Sequence, residues 1–158
     1  MSGLNGAANS AAIPHFELRQ IPADKDSIDR WWPEILVEIE GIIARDPELC
    51  DFIPEEVYVE LRRRRAFLHV GFLDGEYAGF GILKVERRPY SGEPYLLSWI
   101  GGGLKTEAVN LYFAELENIA RKAGLKTIRH ESTRMGWLRR LPGEGWRTVA
   151  IVQEKRLG

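Results

Sequence analysis

Three consecutive glycines, Gly101 to Gly103, followed by Leu104-Lys105-Thr106, separate an apolar run (Y-L-L-S-W-I, Tyr95 to Ile100) from an amphipathic stretch. A strand that passes through a glycine corner into a helix leaves backbone N–H groups unpaired at the positive end of the helix dipole. Such a junction can hold an anion, a pyrophosphate among them, without dedicated side chains. Glycine lets the backbone turn sharply and approach a ligand closely, and Lys105 offers a phosphate a point charge. The same letters also suit a plain turn that binds nothing, because glycine commonly punctuates a chain. Elsewhere the chemistry is sparser. Cys50 is the lone cysteine and has no histidine near it in sequence, so neither a disulfide nor a Cys-His nucleophile is expected. No cluster of Cys and His has metal-ligand spacing, and no metal is expected. Arg62 to Arg65 form a basic run that reads either as a phosphate or nucleic-acid patch or as cations favoured by a helix C-terminus.

The elements that must position these residues follow from periodicity. His15 to Ile21 alternates as a short strand. Trp31, Trp32, Ile35, Leu36, Ile39, Ile42 and Ile43 fall at helical spacing, and Asp46-Pro47 closes that helix. Pro54, Glu55 and Glu56 suit the first turn of a second helix that ends in the arginine run. Phe67 to Leu73 and Tyr77 to Val85 flank Asp74-Gly75, a strong hairpin signal. A turn over Arg87 to Pro94 leads into the strand Tyr95 to Ile100. Thr106 is the expected N-cap of a third helix carrying Val109, Tyr112, Phe113, Leu116, Ile119 and Ala120 on one face, with Gly124 as its C′ residue. Leu125 to Ser132 reads as a strand parallel to the one before that helix. Met135 to Leu141 reads as a short helix and Trp146 to Arg156 as a last strand. Residues 1–13 are small and polar and are expected to be a disordered arm; 14–158 are expected to form one domain.

Composition excludes several classes. Twenty-two basic against 23 acidic residues give a formal charge of -1. There is no bulk attraction to nucleic acid or acidic membrane. The start of the chain lacks a secretory pattern and no apolar segment approaches the roughly 20 residues of a membrane span, so a cytoplasmic location is expected.

The element order resembles the GCN5-related N-acetyltransferase (GNAT) superfamily over nearly the whole chain after residue 14. The pieces that carry the likeness are F-L-H-V-G-F-L-D-G-E-Y-A-G-F-G-I-L, the β-α-β unit from Tyr95 to Ser132, and G-E-G-W-R before the last strand. The resemblance implies an α/β fold: a central, mostly antiparallel sheet, a splayed parallel strand pair and flanking helices. It implies acyl-CoA in the splay, with acetyl-CoA as cofactor. The backbone of Trp99, Ile100, Gly101, Gly102, Gly103, Leu104, Lys105 and Thr106 would then contact it. It also implies a small-molecule or protein amine as acceptor, and a homodimer as the assembly. The loop departs from the family's spaced Gly pattern. Leu141 stands where many members carry a tyrosine acid. The loop and Trp137-Leu138-Arg139 also resemble GNAT-like proteins carried by phages, which makes a non-catalytic structural or interaction role the alternative function.

Transfer of an acyl group to a lysine-like amine requires deprotonation of a group with a pKa of ~10.4. A carboxylate or a water-linked histidine usually serves. On the implied fold the candidates are His130, on the strand bordering the splay, and Glu93, in the turn before the fourth strand; Glu86 and Glu131 are weaker. A histidine packed at a sheet edge and a solvated turn glutamate are the alternative readings of both. His69, in the second strand, reads as a packed core residue.

Overall fold

The computed structural model describes residues 13–134 and 136–157. The expected arm, residues 1–13, lies outside the described residues except for Ile13, which is exposed. The chain runs β1 (Phe16–Gln20), α1 (Lys25–Arg45), α2 (Pro54–Arg62), β2 (Phe67–Leu73), β3 (Glu76–Arg87), β4 (Pro94–Gly102), α3 (Thr106–Lys122), β5 (Ile128–His130) and α4 (Gly136–Arg140), then a 3₁₀ turn over Leu141–Glu144. The five strands form one sheet in sequence order, antiparallel from β1 to β4 and parallel between β4 and β5.

Local chemistry sets most boundaries. Asp24 caps α1 by accepting from the Ser27 N–H at 2.9 Å. Pro54 opens α2 at a position where no N–H is needed. Asp74-Gly75, with φ of 50° and 84°, makes the tight hairpin between β2 and β3. α3 ends in a Schellman motif: the Gly124 N–H donates to the Arg121 carbonyl and the Leu125 N–H to the Ala120 carbonyl, with Gly124 at φ 71°. Thr106 is the first helical residue and Lys105 the N-cap, which gives no side-chain capping bond.

The core lies on both faces of the sheet. On one, Ile28, Ile35 and Ile39 of α1 and Val57 and Leu61 of α2 pack on Leu68, Val70, Phe80, Ile82 and Ile100. On the other, Val109, Tyr112, Phe113 and Leu116 of α3 pack on Leu83 and Leu96.

The strand expected over Trp146 to Arg156 does not form. Residues 147–157 are exposed and make no strand, although Val149, Ile151 and Val152 have strand propensity. Propensity alone does not make a strand, because each ladder bond needs a neighbour. β5, with three residues, offers little template.

Candidate functional site

β4 changes character in its middle. From Leu96 to Ser98 it is paired on both sides, with β5 matching Leu96 to Ile128, Leu97 to Arg129 and Ser98 to His130. β5 then stops, and β4 continues through Trp99–Gly102 with no strand on that side among the described residues. The β3 register slips at the same place. Ile82 pairs with Ile100 but Leu83 with Ser98, so Trp99 is the extra residue of a β-bulge. A bulge places two successive side chains on one face: Trp99 and Ile100 both pack on the α1/α2 side. Ser98 faces α3, where its hydroxyl lies 3.2 Å from that of Tyr112.

The end of β4 is seated on β3. Gly79 has a φ of 111°, and a Cβ there would lie 2.8 Å from both the Gly102 carbonyl oxygen and the Leu104 nitrogen. Only glycine permits that approach. Gly103 follows at φ 64°, turning the chain into α3. The N–H groups of Leu104, Lys105, Thr106 and Glu107 find no acceptor among the described residues; the first such bond is from Ala108 N–H to the Lys105 carbonyl at 2.9 Å. Residues 105–107 are exposed. An uncommitted set of backbone donors, the positive end of a 17-residue helix and Lys105 fit a pyrophosphate group. Glu107, in the first turn, is the opposing charge.

On the α1/α2 face, the bulge brings Trp99 into the wall of an open groove of about 580 Å³. Phe52 meets the indole edge-on at 5.9 Å between ring centres. The Lys84 Nζ sits 3.6 Å from the centre of the Trp99 ring and 3.8 Å from Glu60 Oε2. Asp51, Glu55, Glu56 and Arg63 complete the charged lining. The acids at 55, 56 and 60 are legible as the polar face of the second helix. That they face a tryptophan three elements later depends on the bulge, which leaves no signature in the letters.

On the α3 face, the environment is dry and aromatic. His130 lies edge-on to Phe113 (5.6 Å) and Trp137 (5.2 Å), and Phe113 also meets Trp146 (5.4 Å). Both His130 ring nitrogens are covered and lack any hydrogen-bond partner among the described residues. Burial pushes its pKa down to about 4. The Tyr112 phenol is buried and pushed up to about 12, so it stays protonated.

The residues singled out from the sequence therefore separate. Trp99 to Thr106 run consecutively from the open edge of β4 into the start of α3, with Ile100 buried among them. His130 borders that stretch, but its nitrogens are covered. Glu93 lies in the turn at the other end of β4, where it pairs with Arg88 at 3.6 Å. Six residues of strand put it about 20 Å from Trp99. Glu86 is at that end as well, opposite Tyr95. His69 is buried in β2, its Nδ1 3.2 Å from the Phe67 carbonyl oxygen. Among the described residues no group of His, Cys, Asp and Glu could hold a metal, and no helix is long and apolar enough to cross a membrane.

No protein-family model matches the chain, and no curated protein matches it in sequence. Solved structures match in shape. A ribosomal-protein-alanine N-acetyltransferase from Brucella melitensis biovar Abortus 2308 superposes with a TM-score of 0.61 at 14% identity, covering 91% of this chain and 100% of that one. AAC(6')-Iy, solved with the bisubstrate analogue CoA-S-monomethyl-acetylneamine, gives 0.61 at 14% identity over 91% and 99%. An aminoglycoside acetyltransferase from an uncultured soil metagenomic sample, in complex with sisomicin, gives 0.54 at 11% over 90% and 94%. The mixed five-stranded sheet with flanking helices is thus the acetyltransferase fold that the resemblance implied.

Proposed function

We propose that, on this acetyltransferase fold, the chain binds acyl-CoA along the open half of β4 and transfers the acyl group to an amine entering from the α1/α2 face. The observation that carries the reading is the Trp99 bulge. It coincides with the end of β5 and opens a strand edge that runs without interruption into the unbonded N–H groups before α3. One surface thereby offers strand-type hydrogen bonds to an extended chain and a helix N-terminus to a pyrophosphate. The structure solved with a CoA bisubstrate analogue supports that ligand class.

Acyl-CoA supplies an acyl group activated as a thioester, from which the amine takes the carbonyl carbon as the C–S bond breaks and the amine proton passes to the sulfur through water. The chain's part is to bind and orient. The backbone from Trp99 to Thr106 holds the cofactor, with Lys105 beside the phosphates. Leu141 lies in the 3₁₀ turn and carries no proton to donate. The leaving thiolate takes its proton through water, so no dedicated side-chain acid is required. His130 acts as a wall of the cofactor gap rather than as the base, because its nitrogens are covered by Phe113 and Trp137 on the far face of the sheet from the groove. Proton removal then falls to water in the groove. Acetyl-CoA is the simplest acyl donor for the test.

A thermal-shift titration separates this reading from a structural or interaction role on the same fold. At a hundredfold excess over its Kd, acetyl-CoA should stabilise the fold by ~2.7 kcal/mol. That corresponds to a rise in Tm of roughly 5–10 °C for a chain of this size. No shift at millimolar acetyl-CoA sinks the proposal.

A further inference from the structure

Against the glycine corner lie two polar groups that the acyl-transfer reading leaves unused. Tyr77, near the start of β3, has its ring fixed by packing. Trp31 stacks on it at 6.2 Å between ring centres and 18° between planes, and Phe72 meets Trp31 edge-on at 5.7 Å. The phenol oxygen is thereby held at Gly103, where a Cβ would stand 3.4 Å from it and 3.4 Å from Glu38 Oε1. The two oxygens are no more than twice that distance apart. The Tyr77 hydroxyl is nevertheless covered and has no hydrogen-bond partner among the described residues. Burial, and after it Glu38 and Glu34, push its pKa up to about 12, so it remains a donor.

A covered donor without an acceptor weakens a fold, and folded proteins carry few of them. Glu38 is its counterpart. No ion pair among the described residues involves it. Its carboxylate, carried on α1, lies against Gly103, one residue before the uncommitted N–H groups that lead into α3. The positive end of that helix attracts a carboxylate while no other anion is present. A diphosphate bound there would repel it. The donor that a displaced Glu38 would then require is the one that Tyr77 holds unused on the other side of the same point.

Resting on the acyl-transfer reading, we propose that Glu38 and Tyr77 are positioning residues that form a latch at the glycine corner. In the free protein the carboxylate lies against Gly103 and the hydroxyl is unpaired. When a diphosphate occupies the corner, the carboxylate turns onto Tyr77, whose O–H donates to it. That charge-assisted bond offsets the repulsion between the two anions. Glu38 thus sets how strongly the corner resists an anion, and Tyr77 sets how much of that resistance is recovered on binding.

A double-mutant cycle read by calorimetry, with inorganic pyrophosphate and with acetyl-CoA as probes, tests the latch. Glu38→Ala should tighten both probes about threefold by removing the repulsion. Tyr77→Phe should weaken both about fivefold, because the displaced carboxylate loses its donor. The free Tyr77→Phe protein should melt no lower than wild type, since the ring stays and only an unpaired hydroxyl goes. In the Glu38→Ala background, Tyr77→Phe should change affinity by less than about 1.5-fold; a tyrosine that merely packs would act alike in both backgrounds. Absence of pyrophosphate binding at millimolar concentration, or the same Tyr77→Phe effect with and without Glu38, overturns the latch even where acetyl-CoA stabilises the protein. A Glu38-dependent Tyr77 effect on pyrophosphate in a protein that acetyl-CoA fails to stabilise upholds the latch and sinks the transferase reading instead.

Discussion

Ser98 and Trp99 are consecutive in β4 and serve opposite faces of the sheet. Ser98 is 2% exposed and directs its hydroxyl at Tyr112, itself fitted into the space left by Gly81. Trp99, one peptide later, walls a charged groove and carries the Lys84 ammonium on its ring face. The pairing partner explains the contrast. Where β5 is present, β4 is a core strand with alternating faces. Where β5 ends, the bulge rotates the chain and gives two successive residues to one side. The paired half supplies stability, and the open half supplies the surface that the proposed function assigns to ligands.

The largest effect that can separate the two halves comes from two glycines of β3. Gly79→Ala would force a side chain at φ 111° into backbone atoms 2.8 Å away. Strain and overlap together should cost about 3 kcal/mol. That is roughly 6–12 °C in Tm. Because the displaced atoms belong to Gly102 and Leu104, the variant should also lose its stabilisation by acetyl-CoA. At Gly81→Ala the three atoms nearest the new Cβ all belong to the Tyr112 side chain, its hydroxyl 2.2 Å away. It should cost about 2 kcal/mol while keeping the acetyl-CoA shift. An unchanged ligand shift in Gly79→Ala would remove the loop from the cofactor site.

His130 offers a smaller effect with a definite sign. Its pKa is about 4 in the folded protein, against an ordinary value of 6.5. The unfolded chain therefore binds more protons between those values, and stability rises with pH across that window. The contribution is complete above about pH 6.5 and is lost as pH falls through about 4, with a ceiling of about 3 kcal/mol. Buried His69, whose pKa is also lowered by burial, acts in the same direction. Denaturation of His130→Phe at several pH values should show a flatter slope. The variant should also be more stable at pH 7, because two unpartnered nitrogens leave the aromatic cluster. If acyl transfer in this variant falls by roughly a hundredfold or more, His130 is the base after all and the wall assignment fails.

Much of the frame can be read from the letters because it rests on local signals. β2 falls on Phe67–Leu73 as expected, since alternation ends at Asp74-Gly75. α2 begins at Pro54 and α3 follows its apolar stripe to the Gly124 cap. What escapes the letters is non-local. Trp146 to Arg156 has the composition of a strand but no neighbour to pair with among the described residues. Trp99 to Thr106 can be marked as one stretch, yet the bulge that opens it is a mismatch between β3 and β4, invisible in either strand alone. The Lys84 contact with Trp99 needs that register as well as the bulge. His130 is placeable beside β4, but the covering of its nitrogens depends on Trp137 returning from α4.

Glu93 gives the smallest expected effect and the cleanest limit on the open half. It sits in the Arg88–Glu93 turn, where the Arg88 N–H donates to its carbonyl at 3.0 Å and its carboxylate faces the Arg88 guanidinium at 3.6 Å. Both side chains are partly exposed, so the ion pair contributes at most about 0.5 kcal/mol. A carboxylate about 20 Å along the strand from Trp99 cannot take a proton from an amine held there. Glu93→Gln should therefore change kcat/KM less than about twofold and leave the pH profile in place. A larger loss, or a shifted acidic limb, would mean that the amine enters at the paired end of β4, and the division of the strand into a stabilising half and a working half would have to be reversed.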